Sequence, residues 1–216
     1  MGEDVHFIGA GDFGCRVSRK LTGIYEDTRA EFIHKSGNAS PQHLGIHVFP
    51  FAETACLNGK DHFIILVGSV HDSCWKEARK TLHESRPYLT ISIGIDHKRG
   101  IYPETFQPFP DECLVFPGPS FFDPVEVAQL ALQIFFIHTP WNVSIRGSLI
   151  GYDLADTKQL FAGKVTKVGK MSSDKDHYRQ NFSKFLSENN TDLSRAQGIL
   201  MSFWGRDDVL SIPKAN

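Results

Sequence analysis

The sequence predicts an α/β fold, a parallel sheet flanked by helices, and three observations predict it. Apolar runs of strand length alternate with segments of helical periodicity up to about residue 140. Phe63–Val67 (Phe-Ile-Ile-Leu-Val) is a continuous apolar run of the kind buried on both faces of a parallel sheet. Val5–Ile8 ends in Gly9-Ala10-Gly11-Asp12-Phe13-Gly14, after which Val17, Leu21 and Ile24 recur at helical spacing, so strand, glycine turn and helix follow one another.

The remaining elements can be justified in order. Ala30–His34 reads as a second strand, and His43–Phe51 as a third with alternating apolar residues. After Phe63–Val67 a helix capped by Asp72 or Ser73 carries Trp75, Ala78 and Leu82 on one face, and Arg86-Pro87 ends it. Leu89–Ile95 returns as a strand, residues 96–112 form an irregular loop, and Cys113–Phe116 is a short strand closed by Pro117-Gly118-Pro119. Asp123-Pro124 opens a helix that is apolar nearly all round to Ile137, which makes it a long central helix. Gly147–Asp156 reads as a loop and Ala162–Val168 as a strand. An amphipathic helix is expected at about 174–188, where Tyr178, Phe182, Phe185 and Leu186 share a face, and Gly198–Trp204 is a last strand. The expected division is residues 1–140 as the main domain with the central helix, 141–212 as a small α+β part, and 213–216 as a tail.

Composition bounds the function. The chain has 216 residues, 41% hydrophobic, which suits one large domain with a small appendage and excludes a multidomain machine. Its 23 Lys and Arg against 25 Asp and Glu leave no basic footprint for nucleic acid or an anionic membrane. No signal-peptide pattern opens the chain, and no apolar run approaches the ~18 residues of a membrane helix, so no membrane insertion and a cytoplasmic location are expected. Cys15, Cys56, Cys74 and Cys113 lack a Cys-x-x-Cys pair and read as small buried hydrophobes. His43 and His47 alone have i, i+4 spacing, but on a strand they would stand ~13 Å apart, so no metal is expected.

Two segments carry candidate chemistry. Gly9-x-Gly11-x-x-Gly14 between strand and helix lets backbone amides approach a phosphate at the positive helix end, so Gly9, Ala10, Gly11, Asp12, Phe13 and Gly14 are cofactor-binding candidates of a Rossmann-like kind. Gly68 and Ser69 join them only through the family resemblance that the later segments complete. A dinucleotide site should also hold its ribose with an acidic residue at the tip of the second strand; that strand ends in Ile33-His34-Lys35. The second segment, Leu149-Ile150-Gly151-Tyr152-Asp153-Leu154-Ala155-Asp156-Thr157-Lys158, places two carboxylates three residues apart. On one helical turn both could orient a water or a cation, or Asp153 could simply cap a helix with Asp156 in its first turn.

In this order the parts resemble the FtsZ/tubulin superfamily. Leu-Ile-x-x-Asp-Leu-Ala-Asp-Thr-Lys resembles the FtsZ loop Leu-Ile-Asn-Val-Asp-Phe-Ala-Asp-Val, which follows that fold's long central helix. Val5–Leu21 looks like its first strand, glycine loop and helix, Asp61–Ile95 like its fourth strand to fifth strand, and Cys113–Phe122 like the segment before the central helix. Gly163–Gly169 and Ala196–Ile212 resemble later strands of the family. The resemblance implies GTP or GDP as cofactor and hydrolysis completed between subunits, with Asp153 and Asp156 of one protomer activating water at the nucleotide of the next.

The departures change what is expected. The family's second glycine cluster is replaced by Gly68-Ser-Val-His-Asp-Ser-Cys-Trp, where bulky residues prevent close backbone approach. Asp12 would repel a phosphate, Arg16 stands where the family commonly has a guanine-contacting Asn, and the chain is abbreviated at its middle and its end relative to FtsZ. The expectation is therefore an FtsZ-like protein with a degenerate nucleotide site, GTP binding weak or absent, at most a weak GTPase, acting by self-association or through another FtsZ-like, cytoskeletal partner. The alternative is a Rossmann-type dinucleotide-binding oxidoreductase or sensor.

Overall fold

Six parallel strands build the sheet, in the spatial order β2-β1-β3-β4-β5-β6. The computed structural model describes residues 5–36, 44–49, 63–96, 106–118, 121–138, 154–169, 171, 177–188 and 194. The strands are β1 (Val5–Ala10), β2 (Leu44–Phe49), β3 (Phe63–Ser69), β4 (Leu89–Ile95), β5 (Glu112–Pro117) and β6 (Lys164–Val168). The helices are α1 (Gly11–Ser36), α2 (Ser73–Ser85), α3 (Pro124–His138), α4 (Leu154–Phe161) and α5 (Tyr178–Glu188). The α/β class with a parallel sheet flanked by helices is thus the architecture found.

Alternation within the strands divides the core in two. Val5 and Phe7 of β1, Ile65 and Val67 of β3, and Ile91 and Ile93 of β4 pack beneath Val17, Leu21 and Tyr25 of α1 and Ala128, Ala131 and Phe135 of α3. Ile8, Ile64, Leu66 and Leu114 point to the other face, beneath Trp75, Ala78 and Leu82 of α2. Burial on both faces explains why β3 reads as an unbroken apolar run rather than an alternating one. Trp75 fits against the sheet because Gly68 and Gly94 are neighbours there in register; a Cβ at either would come within 3 Å of the indole.

Local signals account for the helix ends. Asp72 caps α2 by accepting the Cys74 N–H at 2.8 Å, and Arg86 closes it in the left-handed region at φ 54°, donating its N–H to the His83 carbonyl before Pro87. Asp123 accepts the Val125 N–H at 2.7 Å at the start of α3. The expected strand at Ala30–His34 is instead the last part of α1. No proline occurs between Gly11 and Ser36, Ala30 and Glu31 favour helix, and lengthening an existing helix needs no new nucleus. The second strand of the sheet is accordingly Leu44–Phe49.

The chain divides into two compact units, Met1–Val168 and Gly169–Asn216. β6 pairs in parallel with β5, Cys113 opposite Lys164, so the segment after α3 completes the main sheet, and the expected boundary at 140/141 falls inside the first unit. Within the second unit α5 half-buries Phe182, Phe185 and Leu186, and the Phe185 ring lies over the bare Cα of Gly169. The expected strand Gly198–Trp204 lies outside the described residues, as does Cys56. Cys113 is buried, which pushes its thiol up to about 12; Cys15 and Cys74 are half-buried rather than buried. Among the described residues no helix is long and apolar enough to cross a membrane.

One buried ion pair ties α2 to the segment before β5. Arg79 donates from Nε and Nη2 to the two carboxylate oxygens of Glu112 at 2.6 and 2.7 Å, and Glu112 also accepts the Phe109 N–H at 3.0 Å. The guanidinium bonds the Gln107 carbonyl and lies over the rings of Trp75 and Phe109. With Glu112 1% exposed, removing one partner strands a charge out of water. Glu112→Ala should therefore lower the unfolding free energy by about 3–5 kcal/mol in urea titrations, and Arg79→Met/Glu112→Leu should recover most of that loss.

Candidate functional site

The sheet changes its direction of growth at β1. From β1 the chain runs through α1 to β2 on one side, and from the adjacent β3 it runs through α2 to β4 on the other, with α1 covering one face and α2 the opposite face. Connections that leave neighbouring strands for opposite faces open a crevice at the strands' C-terminal ends, and open α/β sheets bind their ligands at that place. A shallow, open cleft lies there. Its walls are Asp12, Phe13 and Arg16 from the first turns of α1, and Ser69, His71, Asp72 and Ser73 from the β3–α2 turn.

The predicted cofactor-binding residues separate into two groups. Asp12, Phe13 and Ser69 line the cleft. Gly9, Ala10, Gly14 and Gly68 are buried beneath it. A Cβ on Gly9 would run into the Gly14 carbonyl and the Ser18 hydroxyl, so these glycines let α1 lie close on β1, and Ser18 returns a hydrogen bond to the Gly14 carbonyl at 3.1 Å. Gly11 differs from them. It begins α1 at φ 70°, where a side chain is strained, and its open side is filled by the carboxylate of Asp72.

Asp72 is the residue around which the site is organised. One carboxylate oxygen accepts the Cys74 N–H at the start of α2, and the other lies against Gly11 at the start of α1. The carboxylate is thus the N-cap of α2 and the neighbour of the first residue of α1, and it places negative charge at this rim of the sheet. Burial first, and the Asp72 charge second, raise the pKa of the neighbouring Cys74 thiol. Asp12 adds a second carboxylate at the mouth; it is largely exposed and faces Arg16 at 3.5 Å, an exposed pair that contributes little. His71 Nε2 lies 2.7 Å from Asp96 Oδ1, which ties the β3–α2 turn to the end of β4.

His71, Asp72, Ser73 and Asp96 were not among the residues expected to form a site. Their signal was present only as position, in a polar turn after the strongest strand, and the Asp72 capping pattern was legible there. Asp153 lies outside the described residues. Asp156 is exposed in the first turn of α4, which begins within the expected loop and agrees with the alternative expectation of a helix carrying Asp156 in its first turn. That helix is anchored at the other rim of the sheet: Lys158 Nζ sits 4.2 Å from the ring centroid of Tyr88, just before β4, and the Gly163 N–H donates to the carbonyl of Glu112, the first residue of β5. The glycine turn and the aspartate segment are therefore not brought together within one chain. Among the described residues no three His, Cys, Asp or Glu side chains converge as metal ligands.

No family model, curated protein or solved structure matches the chain. What the site can do must accordingly be argued from its own residues. Asp12 and Asp72 both line the cleft, and two carboxylates there oppose a polyanion. Asp72→Ala should cost about 1 kcal/mol of stability through the lost cap, whereas Asp72→Asn should cost only a few tenths, a contrast that thermal unfolding of the two variants measures.

Proposed function

We propose that this chain is an FtsZ/tubulin-like protein with a degenerate nucleotide site, which acts by associating with itself or with a fuller FtsZ-like partner rather than by hydrolysing GTP. The observation that carries the reading is Asp72: its carboxylate caps α2 and lies against Gly11 at the start of α1, so the glycine turn meets a negative charge. A nucleotide di- or triphosphate would have to face that charge and Asp12 as well.

The layout of the first unit supports association. Its cleft opens at the C-terminal rim of the sheet, and the helix carrying Asp156 is anchored at the N-terminal rim. Head-to-tail contact between copies needs two different surfaces at opposite poles, and such contacts extend into filaments unless their rotation closes a ring. The dinucleotide alternative finds less support. With the second strand now at Leu44–Phe49, its tip is Phe49, which offers no carboxylate to a ribose.

Sedimentation velocity over a concentration series tests the proposal. Concentration-dependent species larger than a monomer are expected, and Asp153→Ala/Asp156→Ala should remain folded but lose them; a strict monomer that also fails to retain an FtsZ-like partner would refute association. A thermal-shift panel addresses the ligand. Millimolar GTP and GDP should move the melting temperature by less than about 1 °C, because stabilisation scales with ligand over its dissociation constant. A clear shift with NADH and none with GTP would instead establish the dinucleotide reading.

A further inference from the structure

Away from the cleft, β1 and β2 place two imidazoles side by side. His6 and His47 are 41 residues apart in sequence, yet the register sets His6 beside Gly45 and Ile8 beside His47, so the two histidines are diagonal neighbours on one face of the sheet. His6 Nδ1 and His47 Nε2 lie 3.1 Å apart, and the rings are half-buried, with centroids 5.3 Å apart and planes inclined by 36°. Gly45 lets both rings approach its backbone: a Cβ there would lie 2.8 Å from each of these two nitrogens.

We propose that His6 and His47 form a two-histidine site for a borderline divalent cation such as Zn²⁺ or Cu²⁺, bound through His6 Nδ1 and His47 Nε2 above Gly45. Metal–imidazole bonds of ~2.0–2.1 Å spanning a 3.1 Å separation subtend about 95–102° at the metal, between the octahedral and tetrahedral angles. Neutral imidazole suits Zn²⁺ and Cu²⁺, and two protein nitrogens leave coordination positions for water or a further ligand. Both donors stand on paired strands, so their separation is held by the sheet rather than by a loop. Without metal the same two nitrogens share one hydrogen bond, with one ring donating N–H to the other.

Titration of the full chain with Zn²⁺, followed by calorimetry, and Cu²⁺ electron paramagnetic resonance test this site together. One tight equivalent of Zn²⁺ is expected, with affinity at least about tenfold lower in His6→Ala and His47→Ala and unchanged in His71→Ala. Gly45→Ala keeps both imidazoles but sets a Cβ against the two nitrogens, and should weaken binding similarly while circular dichroism shows the fold retained. The Cu²⁺ spectrum of the unsubstituted chain should carry hyperfine structure from two imidazole nitrogens, a result that does not depend on any variant folding. Absence of metal binding, a spectrum without two such nitrogens, or affinity in the His6 and His47 variants equal to that of the unsubstituted chain would overturn the proposal and leave the pair as a hydrogen bond alone.

Discussion

The site depends on one carboxylate placed between two helix N-termini. Parallel sheets that grow both ways from a central strand bring the first turns of two helices to a common point, and unsatisfied N–H groups there attract negative charge. In this chain Asp72 supplies that charge from within, capping α2 and resting against Gly11. The same residue thereby stabilises the β3–α2 turn and sets the polarity of the cleft. Gly11 must be glycine on two grounds, its positive φ and the carboxylate beside it.

The two faces of the sheet serve different ends. Beneath α1 and α3 the core is almost wholly aliphatic and aromatic, which suits a scaffold that holds the cleft rim in place. Beneath α2 the packing includes Arg79 and Glu112, and Trp75 is fitted over glycines. Such a buried pair adds directional constraint to a face otherwise held by non-directional contacts. It fixes residues 107–112 to α2, so that the entry into β5 is positioned by charge and hydrogen bonds as well as by strand pairing.

What was legible in the sequence was what local chemistry decides. The β1–turn–α1 unit, the buried run of β3, and α2 with its Asp72 cap and Arg86-Pro87 stop all follow from neighbouring residues. The strand expected at Ala30–His34 was misread because a short β-compatible stretch carries no information on whether an upstream helix continues through it. α4 was legible only as one of two readings of the aspartate segment, because eight residues after an acidic pair give too little periodicity to decide between helix and loop. In the site, glycines were visible but their purpose was not: Gly9 and Gly14 fit equally a phosphate cradle and a close helix–strand contact, and only their neighbours in space decide between them. His6 with His47, and Arg79 with Glu112, join residues 41 and 33 positions apart, pairings set by strand register and helix packing that no local pattern encodes.

On the proposed reading, the negative charge of Asp72 keeps phosphate away from the turns that begin α1 and α2. Calorimetric titration of inorganic pyrophosphate into the unsubstituted chain and into Asp72→Asn measures it directly, because the substitution keeps a side chain able to cap α2 and removes the charge. The account predicts no measurable binding to the unsubstituted chain and a saturable heat in the variant. Equal binding by both, or binding by the unsubstituted chain alone, would contradict it.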